Sequence, residues 1–286
     1  MRKIFKESVM VHYVIVGTFT KDLVPNGYVL GGTVFYSGVQ GKRLGAEVSI
    51  ISTAQPDIDL SALDAGIQVH LQESPESTIF KNVYDAQGNR IQYLSAKAAP
   101  LSPERVPQLV RPPDILHLGP LVDEVPLDYG RAFPNAKIGV TPQGWMRRID
   151  DTGRVYPKLW DDAEKLLPYS WAVVFSEEDV GYDEKEIRRL AELCPITVCT
   201  RNISAASLFV SGKQYDVPVH PSKIVDPTGA GDIFAAAFFI WLYETNDPEL
   251  AVRLAHIAAG TSIEGQGVKN VQTREQIEAI YQRDYS

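Results

Sequence analysis

Short apolar runs recur along the chain, most of them rich in Val and Ile and separated by polar stretches. The first, Val11–Gly17 (VHYVIVG), lacks polar alternation and ends in glycine. That pattern fits a strand buried on both faces of a parallel sheet. Further strands are expected over Glu47–Ser52, Gly66–Leu71, Asp114–Gly119, Ala136–Thr141, Trp171–Ser176 and Pro195–Thr200. Helical stretches intervene. Tyr36–Leu44 is expected to enter a helix from the Gly31-Gly32 turn, and Asp183–Leu193 reads most plainly as one. Its acidic residues come early and Arg188 and Arg189 later, as the helix dipole favours. Helices are also expected from Asp232, Pro248 and Thr273. Strands alternating with helices predict a doubly wound, mostly parallel α/β sheet flanked by helices.

Two segments break the alternation. Ser77–Leu94 reads as two strands around the polar turn Asp85–Arg90, and Ser207–Val219 as an antiparallel pair around Gly212-Lys213. Neither a repeat, a low-complexity segment nor a long linker interrupts the chain. Residues 1–286 are therefore expected to form a single domain with a small β appendage.

Composition narrows the function. Asp and Glu number 36 against 28 Lys and Arg, a net charge of −8. This argues against nucleic acid as a partner, since such a protein presents a basic face. No apolar run approaches the ~20 residues of a membrane span, and residues 1–10 lack the apolar core of a signal peptide. Cys194 and Cys199, the two cysteines, flank Ile196-Thr197-Val198 and read as buried thiols around a strand rather than as a disulfide. The five histidines show no metal-ligand spacing. A cytoplasmic protein without membrane attachment is the expectation.

The most informative stretch is Asp226-Pro227-Thr228-Gly229-Ala230-Gly231-Asp232, followed at once by the apolar Ile233–Phe239. Two glycines in three residues permit a tight turn and a close ligand approach. The buried helix behind them would offer free N–H groups and the positive end of a dipole, a site for phosphate. A carboxylate at Asp232 repels phosphate, so its use there is to take a proton from an attacking hydroxyl. Together these residues read as phosphoryl transfer to an alcohol. The plainer alternative is a helix-entry turn.

With that motif the chain resembles the ribokinase/PfkB family of carbohydrate and nucleoside kinases. The resemblance implies that Asp232 is the general base and that Gly229, Ala230 and Gly231 supply amides to the transferring group. It implies ATP and Mg²⁺, and a β-lid over the acceptor formed by about residues 19–30 and 77–95. Asp22 falls where the family binds substrate hydroxyls, and a carboxylate accepts two such bonds at once; the alternative is a solvated loop acid. Gly31-Gly32 matches the family's substrate-side glycine pair, but Tyr36 stands where an Asn is usual. Gln143, after a strand end, has donor and acceptor groups for a hydroxyl. Arg147 could offset phosphate charge, or lie with Arg148 on a solvated helix face. Asp179 takes the place of a family Glu tied to Mg²⁺ through water. Thr200, Asn202 and Thr228 fall on the nucleotide side, with Asn202 expected in a left-handed conformation. Asp226 adjoins a monovalent-cation position in relatives, or simply caps its turn.

Among branches, Asp22, Gln143, Arg147 and Ser176-Glu177-Glu178 look most like myo-inositol kinases. A nucleoside kinase, stacking a base on Phe19, Phe35, Tyr36 or Phe80, is the rival within the family. A non-catalytic ligand-binding protein on the same scaffold is the rival outside it. A sugar-phosphate acceptor finds no basic cluster beyond Lys81 and Arg90. The resemblance also implies a homodimer joined through exposed lid edges.

Overall fold

The computed structural model describes residues 10–84, 90–202 and 204–285. Most of the turn expected at Asp85–Arg90 lies outside the described residues, as do the first nine. Strand β1 (His12–Thr18) runs into a hairpin of β2 (Thr20–Val24) and β3 (Gly27–Gly31), followed by helix α1 (Thr33–Arg43), β4 (Glu47–Ala54) and β5 (Gln68–Glu73). A second pair, β6 (Thr78–Tyr84) and β7 (Arg90–Ala96), precedes β8 (Ile115–Leu118), β9 (Lys137–Val140), β10 (Arg147–Ile149) and β11 (Val155–Pro157). Then come α2 (Ala163–Leu166), β12 (Ala172–Ser176), α3 (Glu184–Leu193), β13 (Ile196–Thr200), β14 (Ala205–Val210) and β15 (Lys213–Pro218). Helices α4 (Ala230–Thr245), α5 (Pro248–Ser262) and α6 (Arg274–Tyr285) follow.

Nine strands make the main sheet in the order β15-β14-β13-β12-β9-β8-β1-β4-β5. Neighbours from β13 to β5 pair in parallel, while β14 and β15 close one edge antiparallel. Every residue of β1 is buried, which is why its run shows no polar alternation. One face is covered by α1, α4 and α5 around Phe238, Phe239 and Trp241. The other is covered by α2, α3 and the Trp145–Trp160 stack. Helix α4 is apolar on all sides and buried from Ile233 to Leu242. Helix α3 starts where Asp183 accepts the Lys185 N–H at 2.9 Å, the side-chain cap its sequence suggests.

A separate four-stranded sheet has the order β3-β2-β6-β7. Its β2 runs parallel to β6, placing Asp22 opposite Phe80. The β10–β11 ribbon extends it through the Tyr93–Arg154 bridge and a 2.8 Å bond from the Leu94 N–H to the Gly153 carbonyl. Phe80, Leu121 and Val122 form a small core beneath, with Leu94 and Val155 packed on it.

Two expectations need correction. Helix α1 begins at Thr33 rather than Tyr36, because Gly32 (φ 98°) turns the chain and helical geometry starts directly after it. Arg147 and Arg148 lie on strand β10, not on a helix face. The turn Gln143–Met146 before them is too short to continue.

Candidate active site

The main sheet changes winding direction at β1, which has β4 on one side and β8 on the other. Open α/β sheets bind ligands at the carboxyl ends of strands around such a reversal. The chain segments that leave β1, β8, β9 and β12 at this edge carry Asp22, Glu124, Gln143 with Arg147, and Asp179 respectively. Opposite them stands the N-terminus of α4.

The turn into α4 is built by Gly229, which is left-handed at φ 78°. A Cβ on Gly229 would lie 2.3 Å from the Tyr36 ring, so the turn is both conformationally and sterically reserved for glycine. Asp226 stabilises the same turn: its oxygens accept the N–H groups of Thr228 and Gly267, each at 3.0 Å. Burial would raise its pKa, but these N–H groups outweigh it and hold the carboxyl below the usual range. Both of its oxygens thus take part in capping the turn. Within the described residues, neither the Gly231 nor the Asp232 N–H has a hydrogen-bond partner, and a Cβ at Gly231 would meet nothing within 4 Å. Free amides at a helix N-terminus facing open space form an anion cradle.

Asp232 is half-buried beside this cradle. Its pKa is pushed up to about 6, chiefly by desolvation and secondarily by the charges of Asp179 and Asp22. A hydrogen bond from the Thr33 hydroxyl and the charge of Arg147 act in the opposite direction. Ser37 donates to the Asp232 carbonyl at 3.0 Å, tying α1 to α4.

The remaining expected residues gather unevenly. Asp22 is half-buried on β2, not in a loop, and its Oδ1 accepts from the Thr20 hydroxyl at 3.1 Å. A Cβ on Gly31 would sit 2.4 Å from the Asp22 Oδ2, so the glycine pair makes room for this carboxylate. Gln143 and Asp179 meet each other: the Gln143 amide donates to the Asp179 Oδ1 at 3.0 Å. The Asp179 Oδ2 accepts the Ser176 N–H at 2.9 Å, closing its own turn. Arg147 crosses the face of Phe80 at 5.6 Å and donates to the Leu121 carbonyl at 3.1 Å.

On the far side, Thr200 ends β13 with its hydroxyl 3.5 Å from the Phe175 carbonyl. Asn202 is left-handed at φ 51°, as expected. Arg201 beside it is engaged by Glu184, Glu177 and Ser207.

Three contributors escaped the sequence reading. Thr33 follows the glycine pair, and a hydroxyl in the first turn of a helix was the available signal. Ser37, one turn later on the same helix, carried none. Glu124 is fully buried and accepts the N–H groups of Leu121 and Val122 at 2.8–3.0 Å. It thereby shapes the loop on which Arg147 rests; the clue was an acid six residues past a buried strand.

Comparison with known proteins shows the family and the fold. Residues 42–274 match the pfkB family carbohydrate kinases. Ribokinase of Bacillus subtilis is 41% identical over 106 residues, covering 36% of each chain. A nucleoside kinase of Thermoplasma acidophilum is 28% identical over 122 residues, 43% of this chain and 42% of its own. The aligned segments thus span well under half of these curated relatives. Among solved structures, a pyrophosphate-dependent myo-inositol-1 kinase converted to a myo-inositol-3 kinase superposes with a TM-score of 0.77 at 21% identity, covering 96% of this chain and 100% of that one. Ribokinase of Thermotoga maritima gives 0.71 at 18%, over 96% and 100%. The chain has the ribokinase-like fold and belongs to the pfkB family of carbohydrate kinases.

Proposed function

We propose that the protein is a kinase that transfers the γ-phosphoryl group of ATP to a hydroxyl of a sugar or cyclic polyol, with myo-inositol a candidate acceptor. One observation carries the reading. A carboxylate with a raised pKa, Asp232, stands beside two unpartnered amides at the mouth of a helix. Near neutral pH it is ionised and still basic enough to accept a proton, as a general base should be. Asp22, on the lid sheet, would hold acceptor hydroxyls, assisted by Gln143, whose amide is oriented by its bond to Asp179. The Gly229–Asp232 turn would receive the transferring phosphoryl group, whose charge Arg147 helps offset. Positioning and electrostatics supply most of such catalysis. Thr228, Thr200 and Asn202 border the donor side.

Magnesium fits the donor set. No cluster of three or more ligating side chains exists among the described residues. Mg²⁺ commonly keeps its waters and uses one or two carboxylates plus substrate phosphates. Asp179 would hold it through water, and the ion would neutralise phosphate charge.

Burial favours a sugar or polyol over a nucleoside. Phe19, Phe35, Tyr36 and Phe80 are exposed by only 0–4%, so none of these rings offers an open face for a base. The donor has a second reading, because a solved neighbour of the same fold is a pyrophosphate-dependent kinase of myo-inositol. The exposed apolar residues Leu23, Val29 and Val83 on the lid strands support a homodimer through the lid. The two free, buried cysteines suit a reducing cytoplasm. No helix among the described residues is long and apolar enough to cross a membrane.

The test is a matrix of ATP and pyrophosphate, with Mg²⁺, against myo-inositol, D-ribose, D-fructose and adenosine, reading phosphorylated product by mass. Product from ATP with a sugar or inositol is the expected result. Ligand-induced thermal stabilisation with no product in any cell would point instead to a non-catalytic binder.

A further inference from the structure

Tyr36 occupies the junction between the acceptor side and the cradle, and nothing in the phosphoryl-transfer chemistry above uses it. It lies in the first turn of α1 and is 4% exposed. One face of its ring is covered by the cradle backbone: a Cβ at Gly229 would fall 2.3, 2.4 and 2.6 Å from its Cδ1, Cγ and Cε1. Phe35 meets it edge-on, with centroids 4.9 Å apart. The ring therefore cannot turn away without disturbing the helix entry.

Its hydroxyl is placed differently. Among the described residues that hydroxyl has no hydrogen-bond partner, yet it is not one of the enclosed unsatisfied polar atoms. The small exposure Tyr36 retains thus includes the hydroxyl. Burial first, then the charges of Asp22, Asp232 and Asp226, keep its pKa well above the ordinary phenol value. It remains protonated throughout the working range, an O–H donor amid three carboxylates that can only accept.

We propose that Tyr36 sets acceptor selectivity by donating its phenol hydrogen to one hydroxyl oxygen of an uncharged polyhydroxy acceptor held at the cradle mouth. The inference rests on the kinase reading and extends it to a specificity-determining residue and a class of substrate. A hydroxyl that gives its own hydrogen to Asp22 keeps oxygen lone pairs, which need a donor; Tyr36 provides one. An acceptor already bearing phosphate would bring negative charge toward Asp22, Asp226 and Asp232 and is disfavoured for the same reason.

Tyr36→Phe retains the ring that packs on Gly229, so the variant is expected to melt with the wild type. Steady-state kinetics would use myo-inositol or D-ribose, whichever the wild type phosphorylates better, and its monodeoxy analogues. Loss of one neutral hydrogen bond should lower kcat/KM for the acceptor about tenfold, with the donor KM unchanged. Discrimination against one monodeoxy analogue should vanish while the others stay penalised. A variant that keeps wild-type discrimination at every hydroxyl overturns the assignment. So does one whose donor and acceptor parameters fall together. A wild-type enzyme that forms no product with any donor and acceptor of the matrix above refutes the kinase reading itself, and this inference with it.

Discussion

Gly229 and Gly231 stand two residues apart in one motif, but the structure gives them opposite tasks. Replacing Gly229 by Ala puts a Cβ 2.3 Å from the buried Tyr36 ring at a residue whose φ is +78°. The left-handed conformation costs a non-glycine residue about 1–2 kcal/mol. Forcing an extra carbon into a packed site costs about 1–3 kcal/mol more. A total of about 2–5 kcal/mol should lower Tm by about 4–15 °C for a chain of this size. At Gly231 a Cβ meets nothing within 4 Å and φ is not positive, so Ala fits without strain. Its better helix propensity leaves Tm level or raises it, by at most about 1 kcal/mol of stability. The added methyl would nevertheless occupy the space over the free amides, and displacing the transferring group by about 1 Å can cost ~10²-fold in turnover. Differential scanning calorimetry beside steady-state kinetics separates the two. Equal destabilisation by both substitutions, or full activity in Gly231→Ala, would refute the division of labour.

Three further substitutions test other parts of the site and scaffold. Asp22→Asn keeps the shape but removes the charge, and should raise the acceptor KM about tenfold, the difference between charged and neutral hydrogen bonds, with donor KM unchanged in the same assay. Glu124→Ala strands the buried N–H groups of Leu121 and Val122; urea denaturation should show a loss of about 2–3 kcal/mol, and turnover should drop as the seat of Arg147 loosens. Asp183→Ala removes the α3 cap and should cost about 1 kcal/mol of stability with the acceptor KM unchanged.

Much of the fold was legible because buried parallel strands announce themselves as unbroken apolar runs. The strands at His12, Glu47, Ala172 and Ile196 all start within one residue of where the sequence places them. The cradle was legible for a local reason: its glycines, its carboxylate and the apolar helix behind it are contiguous. What stayed hidden depends on distant partners. Gln143 and Asp179 lie 36 positions apart, and no spacing rule says that each would satisfy the other. The partner strand of Asp22 was equally hidden, since β2 pairs with β6 across almost sixty positions. The β10 and β11 strands have three residues each, too few for a period to show. Tyr36 was visible only as an unexpected residue; its meaning needed the approach of Gly229 from almost two hundred positions away.

The sign of the Asp232 titration follows from its environment. The folded carboxyl is raised from 3.8 to about 6, so the native state binds the proton more tightly than the unfolded chain. Its ionisation therefore weakens the fold as pH rises through that window. Asp232→Asn should accordingly melt no lower than wild type above pH 6, so a loss of activity cannot be ascribed to unfolding. The decisive measurement is kcat against pH for the two proteins. Wild type should climb through about pH 6 to a plateau as the carboxylate form appears. The Asn variant should run about 10²–10⁴-fold lower, without that rising limb, while donor binding persists. Turnover in Asp232→Asn close to wild type, with the same limb, would contradict the assignment of the base and the phosphoryl-transfer account built on it.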